Sequence, residues 1–432
     1  MSGNSSRRDF MRNTTLAGVG FWAAGKASAA DDSKAANEKI RFACIGVGGK
    51  GTSDSADAGR NGDVVAICDI DDKNLDRAAT AFPNAKKYND FRKLLEEMGP
   101  NIDAVTVSTP DHTHAAASLM AMRMGKHCFT QKPLTHTLYE ARRMSEVAKE
   151  NKVATQMGNQ GTANSGLREA AAIVQSGAIG NVKEVHVWTN RPIWPQGGPR
   201  PPEAECPKYV HWDEWLGPAA WRPFAIGYHP FAWRGWWDYG TGALGDMACH
   251  TLNMPYMALS LQHPTSVEAQ QSGHNKESYP KWSIIKYEFP AIASRPAVTM
   301  TWYDGGKKPD ASLFDGEKVD KAGALLIGDK GKLYAPGDYA ESFKLLGVDK
   351  PKVEFPVSPG HFTEFAQAIK GGKPAMSNFP DYSGPLTEIV LLGNLAVWSD
   401  KKVEWDAKNL KATNSPELDA IIRPTYREGY TL

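Results

Sequence analysis

Short apolar runs alternate with amphipathic stretches along the first part of the chain. The runs predict buried strands at residues 39–45, 64–68, 103–108, 126–131 and 153–157. Between them, the stretch from Leu75 to Phe82 keeps its apolar residues on one helical face. Thr137 with Glu140 predicts a capping box at the start of another helix. This alternation predicts an α/β domain of the Rossmann type, with a parallel sheet, over residues 38–160.

The pattern changes from about residue 161. A helix is predicted at 167–176 and a strand at 182–189, and later strands of the hairpin type are expected at 282–289, 297–303, 324–327 and 332–334. An apolar face from Phe362 to Ile369 predicts a helix closed by Gly371 and Gly372. Residues 161–432 are therefore predicted to form an α+β domain with an open, mainly antiparallel sheet. It would bind substrate and other subunits, and its last helices can pack back on the first domain.

The first 30 residues have the layout of an export signal. Arg7 and Arg8 form a twin-arginine block, an apolar stretch follows at 16–24, and Ala27-Ser28-Ala29 offers a cleavage site. The apolar stretch is shorter than the roughly 20 residues that a membrane-spanning helix needs, so no stable membrane insertion is expected. A disordered basic tail is the alternative. We predict export to the periplasm by the twin-arginine route, which carries proteins that are already folded.

Composition narrows the classes of partner. The chain has 432 residues, enough for two domains, and a formal net charge of +1, which gives no basic footprint for nucleic acid. The five cysteines form no CxxC pair. Buried, unpaired thiols are therefore expected rather than disulfides or a structural zinc site.

A glycine-rich loop follows the first predicted strand. It reads GVGGKG over residues 46–51, it opens a helix that is expected to end at Gly59, and the next strand ends in Asp69. This is the Rossmann arrangement, in which the loop holds a pyrophosphate and the acidic residue holds a ribose. The cofactor-binding residues predicted here are Gly46, Gly48, Gly49, Lys50, Gly51 and Asp69. With Asp71 and Asp72 beside it, Asp69 would repel a 2′-phosphate, so NAD is favoured over NADP. The alternative is a glycine-rich turn of another α/β fold with a helix-capping Asp.

Polar residues also follow the strands at 103–108 and 126–131. Ligands in such sheets lie beyond the carboxyl ends of the strands. Thr109, Pro110, Gln131 and Lys132 are therefore predicted to line the cofactor site, together with His114. His112 is expected to cap or pack instead.

Asp246 and His250 are four residues apart and project from one face of a predicted helix. Oxidation of a carbinol needs a base that takes the O–H proton, and histidine titrates near neutrality. The alternatives are an ion pair that stabilises the helix, or a metal site. No third potential ligand lies at a spacing that is typical of a metal site, so no metal is predicted.

Residues 190–239 are rich in Trp, Pro, Gly and Arg. Aromatic faces beside charged groups suit a carbohydrate, although any single tryptophan can equally be a core or subunit-contact residue. The predicted substrate-binding residues are Arg191, Trp194, Tyr228, His229, Arg234 and, from a later strand, Tyr303.

Taken together, these motifs resemble the glucose-fructose oxidoreductase, inositol dehydrogenase and rhizopine-catabolism (Gfo/Idh/MocA) family. The resemblance rests on GVGGKG, Asp69, TPDHTH at 109–114, Lys132-Pro133 and GDMACH at 245–250, and it spans most of the chain after the signal. It implies NAD as cofactor, Lys132 at the nicotinamide, and Asp246 with His250 as the catalytic pair, His250 being the acid/base. Since the second-domain sheet often forms the subunit interface in the family, we expect a homodimer or homotetramer. One departure is Gln131, where the family usually has Glu, which removes a charge beside Lys132.

The expected function is an NAD-dependent oxidoreductase that acts on a sugar, glycoside or polyol with a tightly bound cofactor. The alternative is an NAD-dependent glycoside hydrolase, lyase or epimerase that oxidises its substrate transiently, without net redox change. A non-catalytic sugar-binding protein is disfavoured by the intact loop and catalytic set. Export bears on the choice because no free NAD pool exists outside the cytoplasm.

Overall fold

The computed structural model describes residues 39–430 and 432. The predicted export signal at residues 1–30 lies outside the described residues.

The first domain is a six-stranded parallel sheet in the order β3-β2-β1-β4-β5-β6. Its strands are β1 (Ile40–Ile45), β2 (Gly62–Cys68), β3 (Lys86–Tyr88), β4 (Ala104–Val107), β5 (His127–Thr130) and β6 (Thr155–Met157). The helices between them are α1 (Lys50–Asn61), α2 (Asp72–Ala81), α3 (Phe91–Met98), α4 (His114–Arg123) and α5 (Leu138–Glu150). Strand order reverses between β1 and β4, and this switch point opens a crevice at the carboxyl ends of the strands.

Side-chain caps fix where several of these helices begin. Asp71 and Asp90 accept hydrogen bonds from the first turns of α2 and α3. The capping box of Thr137 and Glu140 at the start of α5 is confirmed. Helix α1, in contrast, continues to Asn61 and does not end at Gly59. A Cβ at Gly59 would lie 3.0 Å from the Phe82 ring, so this glycine serves close packing and not termination.

The second domain carries a nine-stranded sheet in the order β13-β12-β11-β7-β10-β9-β8-β14-β15. Its strands are β7 (Val182–Trp188), β8 (Ser266–Gln271), β9 (Ser283–Phe289), β10 (Val298–Tyr303), β11 (Gly323–Gly328), β12 (Lys332–Pro336), β13 (Lys344–Leu346), β14 (Val403–Asp406) and β15 (Lys411–Ala412). All neighbours run antiparallel except β7 and β10. The predicted fold class is therefore confirmed. The pattern did not predict β8, β13, β14 or β15.

The α-helices of the second domain are α6 (Ser165–Gln175), α7 (Trp212–Leu216), α8 (Gly242–Thr251), α9 (Asn253–Leu259), α10 (His361–Ile369), α11 (Gly384–Ser399) and α12 (Asp419–Ile422). Two of them pack on the first domain. Helix α10 places Phe362 and Phe365 against Phe129, with ring centroids 5.0 and 6.0 Å away. Helix α11 packs on α5, where Arg142 and Glu388 form an ion pair at 2.7 Å. Helices α10 and α11 thereby join the second domain to the first.

All five cysteines are free thiols, and all but Cys206 are buried. Among the described helices, none combines the length and apolar character needed to cross a bilayer.

Candidate active site

A cavity of about 730 Å³ lies between the carboxyl ends of the first sheet and helix α8. Its volume is within the roughly 300–1,000 Å³ of small-molecule sites. Predicted site residues that line it are Gly46, Gly48, Gly49, Lys50, Asp69, Thr109, Pro110, Gln131, Lys132, Arg191, Trp194, His229, Arg234, Asp246 and His250. A larger open groove of about 1670 Å³ beside α6 and α9 contains none of the predicted site residues. The structure thus gathers most of the predicted residues in one cleft.

The glycine-rich loop has the geometry that the motif requires. Gly46 has φ of 77°, and a Cβ there would lie 2.6 Å from the Ser108 carbonyl oxygen. Gly49 has φ of 51°, and a Cβ there would enter open space. Gly51, at the first turn of α1, is buried against the loop. A ligand can therefore approach the backbone at Gly49 and the start of α1, where the helix dipole favours phosphate.

Asp69 directly follows β2, and its side chain supports the glycine-rich loop. Its carboxylate accepts hydrogen bonds from the amides of Val47 at 2.9 Å, Gly48 at 3.0 Å and Asp71 at 2.9 Å. Burial raises the pKa of Asp69, and these amide donors oppose the rise. Loop, helix end and acidic strand end together fit a dinucleotide, with Asp69 at the adenosine end of the cavity.

Residues 190–239, which we call the clasp, cross over this adenosine end. The main-chain oxygen of Tyr209 accepts from Asp72 at 2.9 Å, and the amide of His211 donates to Ile70 at 2.8 Å. His229 Nε2 lies 3.0 Å from Asp71 Oδ2. His229 lines the cavity, and its contact with Asp71 places it at the adenosine end, so its contact with substrate stays a prediction. The pairing joins residues 158 positions apart, so no local pattern reveals it.

The interior of the clasp is a stack of aromatic rings. Trp212 and Trp215 are stacked with centroids 4.5 Å apart, and Tyr228 is fully buried beside Tyr239 at 5.1 Å. The Tyr228 hydroxyl accepts a hydrogen bond from Arg200 at 2.6 Å. Tyr228 does not line the cavity, which corrects its predicted role in substrate binding. Packing against the other rings of the clasp buries the Tyr228 ring, so this ring is not available to stack on a sugar.

Helix α8 brings Asp246 and His250 to the opposite end of the cavity. Lys132 donates from Nζ to Asp246 Oδ1 at 2.8 Å and to the Asp246 carbonyl oxygen at 2.7 Å. Arg234 Nε donates to the same Oδ1 at 2.9 Å, and Arg191 Nε lies 3.7 Å from Oδ2. Burial alone would raise the pKa of Asp246, but Lys132 and Arg234 hold it well below its usual range. The ionised carboxylate of Asp246 therefore contacts three cationic side chains.

His250 is buried one helical turn from Asp246. Burial and the charge of Lys132 hold the pKa of His250 well below its usual range, so the imidazole is neutral at neutral pH. Among the described residues, His250 Nδ1 has no hydrogen-bond partner. The ring of Tyr339 lies edge-on at 4.8 Å and also lines the cavity. Sequence reasoning missed Tyr339 because it comes from the turn after β12.

His114 and Tyr303 lie outside the cavity. The ring nitrogens of His114 contact the carbonyl oxygens of Thr109 at 2.8 Å and Pro133 at 2.9 Å. His114 therefore ties two strand ends together behind the cofactor site, which corrects its predicted contact with the cofactor. Tyr303 pairs with His186 Nδ1 at 3.0 Å on the sheet face turned away from the core helices. It is likewise removed from the substrate-binding set.

No group of three His, Cys, Asp or Glu side chains suited to a metal ion occurs in the described part of the chain.

Fold and cleft define a two-domain protein whose Rossmann half binds a dinucleotide and carries Lys132, and whose α/β half supplies Asp246 and His250. Residues 40–159 match the description "Oxidoreductase family, NAD-binding Rossmann fold", and residues 164–432 match "Oxidoreductase family, C-terminal alpha/beta domain". The chain belongs to the Gfo/Idh/MocA oxidoreductase family.

Curated relatives match over part of the chain. An inositol 2-dehydrogenase/D-chiro-inositol 3-dehydrogenase of Lacticaseibacillus casei is 38% identical over 121 residues, 27% of this chain and 34% of that protein. A levoglucosan dehydrogenase of Pseudarthrobacter phenanthrenivorans is 25% identical over 178 residues, 41% of this chain and 37% of that protein. The matched part thus spans about a third of each relative's length.

Solved structures match over most of the chain. The WlbA dehydrogenase of Bordetella pertussis, in complex with NADH and UDP-GlcNAcA, has a TM-score of 0.63 and 16% identity, covering 85% of this chain and 99% of that one. An inositol dehydrogenase homologue of Azotobacter vinelandii, with NADH and myo-inositol, has a TM-score of 0.59 and 17% identity, covering 86% and 99%. At these identities the likeness shows a shared fold.

Proposed function

We propose that the protein is an NAD-dependent oxidoreductase that removes hydride from a carbinol of a sugar, glycoside or polyol. The observation that carries this proposal is the neutral His250 beside the Lys132–Asp246 pair, at the end of the dinucleotide cleft remote from Asp69. The bound nicotinamide would supply the hydride acceptor there.

The residues divide the work of the reaction. His250 is neutral and can take the carbinol proton as hydride leaves. Lys132 uses two of its three N–H donors on Asp246, so the third can hold the substrate oxygen. Asp246 keeps Lys132 in place and remains ionised throughout. The site therefore removes a proton without first having to deprotonate a base.

Arg191, Trp194 and Arg234 form the substrate wall in this proposal. The guanidinium of Arg234 lies 4.2 Å from the Trp233 ring centroid and 5.7 Å from that of Trp194, which fixes its plane. Ring faces stack on sugar C–H groups, and guanidinium N–H groups bind hydroxyls. The relatives named as inositol and levoglucosan dehydrogenases act on molecules of this chemical class.

We propose further that NAD stays bound and leaves the cytoplasm inside the folded protein by the twin-arginine route. The export layout of residues 1–30 and the clasp over Asp71 support this. A protein without access to a free NAD pool must release its cofactor slowly. The reduced cofactor must also be reoxidised, either by a second substrate or within the same catalytic cycle.

The test is to purify the protein from the periplasm and to denature it. The expected result is release of NAD or NADH in near-stoichiometric amount. A panel of sugars, glycosides and polyols should then cycle the absorbance of the bound nicotinamide, and product analysis separates net oxidation from hydrolysis or epimerisation. Recovery of empty protein that needs millimolar NAD would contradict retention, and retained NAD that no member of the panel reduces would contradict the proposed chemistry.

We propose a homodimer or homotetramer joined through the second sheet. This proposal rests on the family resemblance. On the sheet face turned away from the core helices, Trp188 and Tyr334 are already covered by Phe314 of the same chain, so an interface there would use the residues around this cluster. Light scattering on the purified protein gives the mass directly, and a monomer would contradict the proposal.

A further inference from the structure

Asp54 is a buried carboxylate in the cofactor half that the proposed chemistry does not use. It lies on α1, one turn after the glycine-rich loop, and only 1% of its surface is exposed. Three side chains donate to it: Lys50 at 2.7 Å, Ser108 at 2.7 Å and Gln131 at 2.8 Å. These donors come from the loop, the end of β4 and the end of β5. The contact set therefore ties together the strand ends that border the cavity.

Gln131 connects this carboxylate to the reaction end of the cleft. Its Nε2 donates to Asp54 Oδ2, and its Oε1 lies 3.3 Å from the main-chain nitrogen of Lys132. Space for the amide depends on Gly158, where a Cβ would lie 2.4 Å from Gln131 Nε2. Lys132 in turn reaches Asp246. A continuous series of contacts thus runs from Lys50 to the Lys132–Asp246 pair.

A neutral residue at 131 follows from the charge of Asp54. A glutamate there would place a second carboxylate oxygen about 2.8 Å from Asp54 Oδ2, the distance of the present hydrogen bond. Two buried carboxylates at that distance cannot both stay ionised. An amide instead donates to the carboxylate and accepts from the main chain, so it satisfies both neighbours.

We infer that Asp54 is the positioning carboxylate of this site: it holds Lys50 at the loop and, through Gln131, holds the main chain at Lys132. In this chain Asp54 carries the negative charge that a glutamate at 131 would supply. The effects of substitutions at positions 54 and 131 on NADH binding are therefore not independent. The inference rests on the proposed role of Lys132.

The test exchanges the two functional groups. Asp54→Asn removes the charge, Gln131→Glu adds a second one, and the double variant D54N/Q131E moves the charge from one position to the other. The dissociation constant for NADH, measured by fluorescence titration of the full protein, should rise about tenfold or more in Gln131→Glu at pH 8 and by about threefold to tenfold in Asp54→Asn. The double variant should return to within about threefold of the wild type. The defect of Gln131→Glu should shrink as the pH falls towards 5.5, since one proton on the carboxylate pair removes the repulsion.

Asp57→Asn is the matched control, because Asp57 is on the same helix but pairs with Arg60 at the surface. It should leave NADH binding unchanged. A double variant that binds as weakly as the product of the two single effects would overturn the coupling. If Gln131→Glu alone does not fold, a folded D54N/Q131E supports the inference and an unfolded one overturns it. NADH binding needs no sugar, so this result stands apart from failure to find an oxidised substrate.

Discussion

At the scale of single residues, Asp246 is where the parts of the cleft meet. Lys132 reaches it from the end of β5, Arg234 and Arg191 reach it from the clasp, and His250 follows it on α8. A buried carboxylate in this position compensates the cations around it. Its charge also opposes the effect of Lys132 on the pKa of His250.

His250→Ala should lower kcat by roughly 100-fold or more, because the proton of the carbinol then has no base to take it. NAD binding should stay within about twofold of the wild type, since the ring lies at the reaction end and not at the loop. Steady-state kinetics with the productive sugar and NADH titration give the two numbers. His263→Ala, at an exposed histidine, should change neither. Near-normal turnover of His250→Ala would assign the base to another group.

The pH profile tests the depressed pKa of His250. Only the neutral imidazole can accept a proton, and its pKa lies below the usual value of about 6.5 because of burial and Lys132. The rate of sugar oxidation, as kcat/KM, should therefore be flat from pH 8 down through about 6.5 and should fall only in more acidic solution. Lys132→Met removes one cause of the depression, so its acidic limb should move to higher pH. An inflection at or above 6.5 in the wild type would contradict this account.

Asp69 decides between the two nicotinamide cofactors. Asp69→Ala should weaken NAD binding more than NADP binding, because only NAD loses a ribose acceptor while both lose the support that Asp69 gives to the loop. Dissociation constants for both cofactors measure the ratio. Asp63→Ala, at the exposed other end of β2, is the control. The idea fails if the wild type already binds NADP as tightly as NAD.

At the scale of elements, the clasp covers the adenosine end of the cleft. Its main chain pairs with Ile70 and Asp72, and its aromatic interior is anchored by His112, whose ring nitrogens lie 3.1 Å from the Tyr239 oxygen and 2.9 Å from the Trp215 oxygen. Burial lowers the pKa of His112 to about 4, so the ring stays neutral under ordinary conditions. The clasp is held to the second domain by ring packing of Trp237 on Tyr279, whereas polar contacts such as His229–Asp71 join it to the start of α2, so this edge can loosen without unfolding of either sheet.

His229→Ala should therefore speed the release of NAD about tenfold, because it removes the contact of the clasp with Asp71, which is worth about 1.4 kcal/mol. The dissociation rate can be followed by trapping released nucleotide in a stopped-flow experiment. The turnover of enzyme that still holds NAD should be unchanged. Trp221→Ala, at a ring that is 66% exposed on the same segment, is the control. Equal release rates in wild type and His229→Ala would show that the clasp does not govern retention.

At the scale of the whole molecule, α10 joins the two domains. Phe365 is fully buried and packs on Phe129 of the first sheet, although it comes from the last quarter of the chain. The dinucleotide half therefore depends on residues of the other half for its core.

Phe365→Ala should lower the free energy of unfolding by about 3–5 kcal/mol, the usual cost of deleting a buried phenyl ring. Bound NADH fluorescence and far-UV circular dichroism should report the loss together on thermal unfolding, since the first sheet loses part of its cover. Lys370→Ala, at the exposed end of the same helix, should have little effect. A loss confined to the second domain, with the cofactor site unfolding at its original temperature, would contradict this view of the interface.

Sequence by itself determined what depends on neighbours within a few positions. The periodicity predicted helix α10 and every strand of the first sheet except β3. The GVGGKG spacing predicted the loop, and Asp246 and His250 share a face because a helix turns every 3.6 residues. Thr137 and Glu140 form their capping box for the same reason. The positions of Lys132 and Gln131 were predictable from one rule of parallel sheets, that ligands meet the carboxyl ends of strands.

Only the tertiary structure decided which side chains distant in sequence form hydrogen bonds with one another or line the same cavity. Asp54 and Gln131 are 77 positions apart, Asp71 and His229 are 158 apart, and Tyr339 meets His250 from another strand pair. Tyr228 and Tyr303 have the right chemistry for a sugar site, but packing turned them into a clasp core and an outer sheet face. The physical reason is that hydrogen bonding and burial depend on position in space, and the chain order of residues fixes that position only where secondary structure keeps them close.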